Sequence, residues 1–154
     1  MRVVSCNNFG PVGDLTIEER PSWPIGPGAV RIGVTACGVN FVDALFVQGL
    51  YQIKPPTPFV PGGEIAGVVT EIGEGVDTVK VGDRVFAHHH VPCLECAYCA
   101  SGRDTLCDRF RATRIDPGGL AELIRVPAAN VALDVHVLPD DMSDTTGTLI
   151  EPLA

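Results

Sequence analysis

Apolar residues along the chain fall in short runs rich in valine and isoleucine, and glycine or proline interrupts them every few positions. Brief strands joined by tight turns produce that pattern. It predicts strands at Arg2 to Cys6, Leu15 to Glu19, Ala29 to Val39, Glu64 to Ile72, Arg84 to His89, Leu120 to Val126 and Val131 to Leu138. In the last of these, Val131, Leu133, Val135 and Val137 recur with a period of two, which predicts one buried face. One helix is expected from Phe41 to Gln48, started by Asn40 or Asp43 and stopped by Gly49. A second helical pattern with Leu149, Ile150 and Leu153 opens in residues 143–154. Open sheet edges invite mispairing, so this many short strands predict a mainly β chain curled into a partly closed barrel. Residues 91–117 break the pattern with cysteines, arginines and turn residues, and are expected to form an excursion from it.

Composition supports one domain with a real core: 154 residues, 45% hydrophobic and 19% charged. The formal net charge of -8 makes nucleic acid and anionic membrane poor partners. No apolar stretch is long enough to span a bilayer and no targeting segment is visible, so a cytoplasmic protein is expected. Basic residues do gather locally. Arg103, Arg109, Arg111 and Arg114 flank the cysteines, where they offset negative charge or keep the surface soluble.

The cysteines carry the clearest chemistry. Cys93, Cys96, Cys99 and Cys107 lie at C-x2-C-x2-C-x7-C spacing, short enough to wrap a single ion. Four thiolates suit zinc, which has no redox chemistry and no competing geometric preference. A bacterial iron–sulfur run would instead close with C-x3-C-P, and disulfides would require an oxidising compartment. With all ligand positions filled by protein, the ion would be structural, holding together a lobe with too few apolar residues for its own core. Cys6 and Cys37 stand apart in strand-like surroundings and read as small buried hydrophobes.

Three motifs in order, Pro61-Gly-Gly-Glu-Ile-Ala-Gly-Val-Val69, Val81-Gly-Asp-Arg-Val85 and the cysteine lobe, resemble the medium-chain dehydrogenase/reductases over nearly the whole chain. The resemblance is to their N-terminal GroES-like barrel domain, here residues 1–142 with the zinc lobe at 91–117. It implies that residues 143–154 lead towards a Rossmann cofactor domain missing from the chain, since no G-x-G-x-x-G follows a strand. Up to about Arg84, Cys37-Gly-Val-Asn-Phe-Val-Asp43 and Gly62-Gly-Glu64 resemble the metal-free quinone oxidoreductases. From Val85 onward, HHHVPCLECAYC, IDPGGLAE and Ile150-Glu-Pro-Leu-Ala154 resemble the zinc alcohol and polyol dehydrogenases. The resemblance therefore implies a mosaic of two branches.

It also implies a function. The chain would be the substrate-side domain of an NAD(P)-dependent alcohol dehydrogenase or quinone oxidoreductase, inactive until a separate Rossmann domain supplies the cofactor. The alternative is a stand-alone zinc-stabilised module without activity. Either way, surface left uncovered implies a homo-oligomer or a cofactor-domain partner.

Asn40 and Glu64 are the candidate catalytic residues that the resemblance implies. Asn40 either orients a substrate carbonyl or cofactor ribose, or simply begins the helix; Glu64 either lies partly buried at the cleft or points outward. Tyr51 either lines the same pocket or packs on the barrel. Zinc alcohol dehydrogenases carry a cysteine where Asn40 stands and a histidine where Gly63 stands, so two ligands of their catalytic metal are missing. Glu64, Glu151, His88 and His90 remain as members of an improvised second site. On a strand, His88 and His90 would share a face.

Overall fold

The centre of the molecule is an antiparallel pair, β3 (Val30–Gly38) against β4 (Glu64–Ile72), in a computed structural model that describes residues 1–154. Alternation turns Val30 and Ile32 of β3 inward, with Ile32 opposite Val69 of β4, and these three and Ile65 are all fully buried. Burying each such side chain is worth about 1.5–3 kcal/mol. On the flanks lie β5 (Arg84–Ala87), β6 (Leu123–Val126) and β7 (Val135–Val137), giving the order β6-β3-β4-β5-β7. A hairpin of β1 (Arg2–Ser5) and β2 (Thr16–Glu19) forms a separate sheet. It is tied to the first by the Val3–Ala121 bridge, where the Val4 N–H donates to Leu120 O at 2.8 Å. Curling is therefore partial, and no continuous ladder closes the barrel.

The expected helix is present as α1 (Phe41–Gln48). Asn40 Oδ1 accepts from the Val42 N–H at 3.3 Å, and the Asn40 N–H donates to Asp43 Oδ2 at 2.9 Å, so both residues offered as caps act together. Gly49 ends the helix in the left-handed region, with φ of 67°. The cysteine-rich excursion carries two short helices, α2 (Ala97–Ala100) and α3 (Asp108–Ala112).

Two expectations are corrected. The segment Val131 to Leu138 is not one strand: α4 (Ala128–Asp134) occupies its first half and β7 its second. Val131 is buried on α4 and Val135 on β7, where it pairs with Ala87, while Leu133 and Val137 are exposed, so no single period runs through the segment. The strand predicted to His89 stops at Ala87, and the three histidines lie beyond it.

Residues 143–154 form two single turns, α5 (Asp144–Gly147) and α6 (Ile150–Leu153), in place of one helix. Ser143 Oγ caps the first by accepting from the Thr146 N–H at 3.1 Å. Asp144 fastens this segment to the sheet: its Oδ2 accepts from Thr35 Oγ1 at 2.6 Å and its Oδ1 from Arg84 Nη2 at 2.7 Å. Those bonds, the Thr35 hydroxyl foremost, hold the Asp144 carboxyl below its ordinary value. A carboxyl depressed in the folded state stabilises fully above its unfolded pKa, and loses that contribution as pH falls through the folded value. Protection of the amides of residues 143–154, taken relative to the intrinsic exchange rate at each pH, is therefore expected to fall below about pH 4 in the wild type. In D144N that protection is expected to be low throughout the range from pH 7 down.

Candidate functional site

In the cysteine lobe, local backbone geometry points four sulfurs at one centre. Leu94 takes a left-handed φ of 62°, and the turn it makes aims the Cys96 and Glu95 N–H groups at Cys93 Sγ, at 3.3 and 3.5 Å. The Cys93 N–H in turn donates to Cys107 Sγ at 3.4 Å. Cys93 Sγ lies 3.9 Å from Cys99 Sγ, Cys96 Sγ lies 3.6 Å from it, and all four ligand atoms fall within 4.8 Å of one another. Sulfurs about 2.3 Å from one tetrahedral ion are about 3.8 Å apart, so the quartet fits a single zinc. It is too tight to enclose a multi-iron cluster, and all six cysteines are free of disulfides. Donated N–H groups, that of Phe110 first, pull the Cys107 thiol down to about 6, and those of Glu95 and Cys96 lower Cys93. Burial, and after it the hydrogen bond with Cys96, pushes Cys99 up to about 12.

Beside the lobe lies a cleft of about 680 Å³, lined by α1, the turn before β4 and the residues that follow α3. Asn40 and Glu64 meet in its wall, Asn40 Nδ2 donating to Glu64 Oε1 at 2.9 Å. Asn40 acts as the helix start, Oδ1 capping α1, while its Nδ2 faces the Glu64 carboxylate and keeps a second hydrogen without a partner in the chain. Glu64 is only 8% exposed and packs over Gly38, where an added Cβ would come within 2.6 Å of its Oε2. Tyr51 both lines the cleft and packs on α1, its ring 4.7 Å from that of Phe46. Cys37 lies behind this wall, its thiol pushed up to about 12 by burial, and is unreactive packing.

The histidines do not share faces as on a strand; they cluster. The ring centres of His89 and His90 are 4.0 Å apart, and those of His88 and His89 are 4.9 Å apart. His88 Nδ1 is held 3.0 Å from Asp134 Oδ2, and His90 Nδ1 lies 3.1 Å from Thr113 O. His88 Nε2 is 3.6 Å from Glu151 Oε1, yet these residues and Glu64 do not bring three ligand atoms around one point; the cysteine quartet alone does.

His89 went unrecognised in the sequence reading. Its ring fills the space that a side chain at Gly63 would take, 3.0 Å from where a Cβ would sit. Burial drives the His89 imidazole down to about 3 and that of His90 to about 4, so both are neutral at neutral pH. The signal was the bare glycine itself, but only a contact across the fold reveals what occupies the gap.

These features have counterparts in known proteins. Residues 26–140 match the model of the alcohol dehydrogenase GroES-like domain. The chain belongs to that family. An alcohol dehydrogenase of Geobacillus stearothermophilus is 35% identical over 144 residues, 92% of this chain and 41% of the relative. Quinone oxidoreductase-like protein 2 of Rattus norvegicus is 58% identical over 71 residues, 46% of this chain and 20% of the relative. Among solved structures, a thermostable alcohol dehydrogenase from Pyrobaculum aerophilum with cobalt and zinc bound superposes with a TM-score of 0.81 at 31% identity, over 97% of this chain and 44% of that one. The GroES-like domain described here therefore spans well under half the length of these relatives. No helix in it is long and apolar enough to cross a membrane.

Two outcomes follow from the His89 packing. Gly63→Ala is expected to overpack the site and cost about 1–3 kcal/mol in urea unfolding, with most of that cost relieved in the Gly63→Ala/His89→Ala double variant. Because the folded pKa of His89 lies far below the unfolded value of about 6.5, stability is full above that value and falls as pH drops towards 3. Urea midpoints measured from pH 7.5 to 4.5 are expected to drop more steeply in the wild type than in H89Q.

Proposed function

We propose that this GroES-like domain is the substrate-side part of an NAD(P)-dependent medium-chain dehydrogenase or reductase, stabilised by a structural zinc. The observation that carries the reading is the Asn40–Glu64 pair, bonded at 2.9 Å in the wall of a cleft large enough for a small organic substrate. When bound, the nicotinamide supplies the hydride. The chain's own task is then to hold a carbonyl or quinone oxygen, and the spare Nδ2 hydrogen of Asn40, fixed by Glu64 on one side and the helix cap on the other, is placed to donate to it. Cys93, Cys96, Cys99 and Cys107 would hold the zinc, which supplies cohesion to a lobe that lacks an apolar core.

Residues 1–142 act in this reading as the barrel domain and residues 143–154 as the lead towards a cofactor-binding partner. High identity to a quinone oxidoreductase-like relative over 46% of the chain, beside lower identity to an alcohol dehydrogenase over 92%, supports a junction between the two branches. Self-association without activity has its own support in exposed apolar side chains near the chain's end and α1: Val39, Phe41 and Leu153 are each at least 74% exposed.

Metal analysis by mass spectrometry is expected to give one zinc per purified chain, and none for Cys99→Ser, whose residues 91–117 lose their chemical-shift dispersion. With NADPH and an enone the chain alone is expected to show no turnover. Fused ahead of a relative's Rossmann domain it is expected to gain turnover, which Asn40→Ala lowers about 10²-fold. A fusion that folds, binds NADPH and yet reduces nothing would overturn the proposal.

A further inference from the structure

The cleft carries charge of both signs. Asp43, Glu64, Glu151 and the Asn40 amide line it together with Lys54, Arg111 and Arg114, while Phe46, Tyr51 and Ile53 supply apolar surface. The same two arginines, with Ile53 and His90, line an adjoining hollow of about 500 Å³, so their groups are open to a ligand from both sides.

These arginines differ from others in the molecule. Arg2, Arg20, Arg31, Arg84 and Arg125 each pair with a carboxylate of the chain. Arg111 and Arg114 have no carboxylate within ion-pairing distance, in a chain with net charge -8. Arg114 is nevertheless held in place: its Nη1 donates to Arg111 O at 2.8 Å and Thr113 O at 2.6 Å, and lies 3.0 Å from His90 Nδ1. Its Nη2 and Nε hydrogens are left over. Partial burial already works against the charge of this guanidinium, a cost that an incoming anion would offset. Arg103 and Arg109 are also without a paired carboxylate but line neither hollow, so the position of Arg111 and Arg114 in the cleft is what sets them apart.

We propose that Arg111 and Arg114 form an oxyanion-recognition subsite, so that the cleft takes a substrate carrying a carboxylate or phosphate as well as its reacting oxygen. This rests on the reading of the cleft as the substrate site. A guanidinium pair presents parallel N–H donors that match both anions, and its rigid fork selects them over neutral groups. The Glu64 carboxylate beside Asn40 repels an anion and the guanidinium groups attract it, which fixes which way round the substrate lies.

The test uses the zinc-loaded chain and follows backbone amide shifts while 4-oxopentanoate, 2-pentanone, inorganic phosphate or acetate is added. Expected is binding of 4-oxopentanoate about tenfold tighter than 2-pentanone, with shifts at both Asn40 and Arg111–Arg114. R111Q/R114Q, checked for unchanged zinc content, is expected to erase that advantage and leave 2-pentanone binding as it was, whereas R103Q/R109Q retains it. The phosphate titration separates the anion types: tighter binding than acetate at the arginines assigns phosphate, weaker binding a carboxylate. If the two ketones bind alike at Asn40, the anion proposal fails and the cleft reading stands. If phosphate or acetate moves the arginines while neither ketone moves Asn40, the subsite stands and the cleft reading fails. Equal loss in R103Q/R109Q, or no response at Arg111 and Arg114 to any anion, overturns the subsite.

Discussion

The register of β3 against β4 is the constraint from which the rest follows. Their pairing runs from Val30 opposite Ile72 to Gly38 opposite Glu64, so the ladder that buries the central isoleucines and valines also delivers Glu64 to the point where β3 ends and α1 begins. Gly38 leaves room for the carboxylate, and Asn40, two residues on, is both the cap of the helix and the partner of Glu64. A slip of one residue would turn Glu64 to the opposite face of the sheet and bring Ile65 into its place. The core and the cleft are thus consequences of one alignment.

The cysteine lobe stands on the other side of that cleft and is built on a different principle. Its backbone is shaped by N–H groups turned towards sulfur, and its side chains contribute little buried apolar area beyond Val91, Cys107 and Ile115. Since α3 follows directly on Cys107 and leads to Arg111 and Arg114, whatever sets the sulfur geometry also sets where those guanidinium groups stand. Stability on one wall comes from hydrophobic packing and on the other from coordination, and the two respond to different perturbations.

Local signals in the chain were read correctly where the structure is local. The Asn40/Asp43 start and Gly49 stop bound α1, and the apolar run from Glu64 to Ile72 matches β4 at both ends. The segment after Pro127 misled because its alternation runs across two elements: Val131 is buried on α4 and Val135 on β7, and Ala128-Ala-Asn-Val-Ala-Leu-Asp134 is a better helix than strand by propensity. The cysteine spacing was legible because ligands that share an ion must lie close in sequence or be brought close by turns. The cleft's composition was only half legible. Asn40 and Glu64 were singled out through family resemblance, while His89 and the cleft-facing role of Arg111 and Arg114 depend on contacts across the fold that no spacing encodes.

The imidazole seated against Gly63 ties two distant positions together. Any larger residue arriving at position 63 meets an occupied space, and any smaller one arriving at 89 opens a void beside Gly63. Each single replacement is therefore disfavoured on its own, and the two positions change cheaply only as a pair.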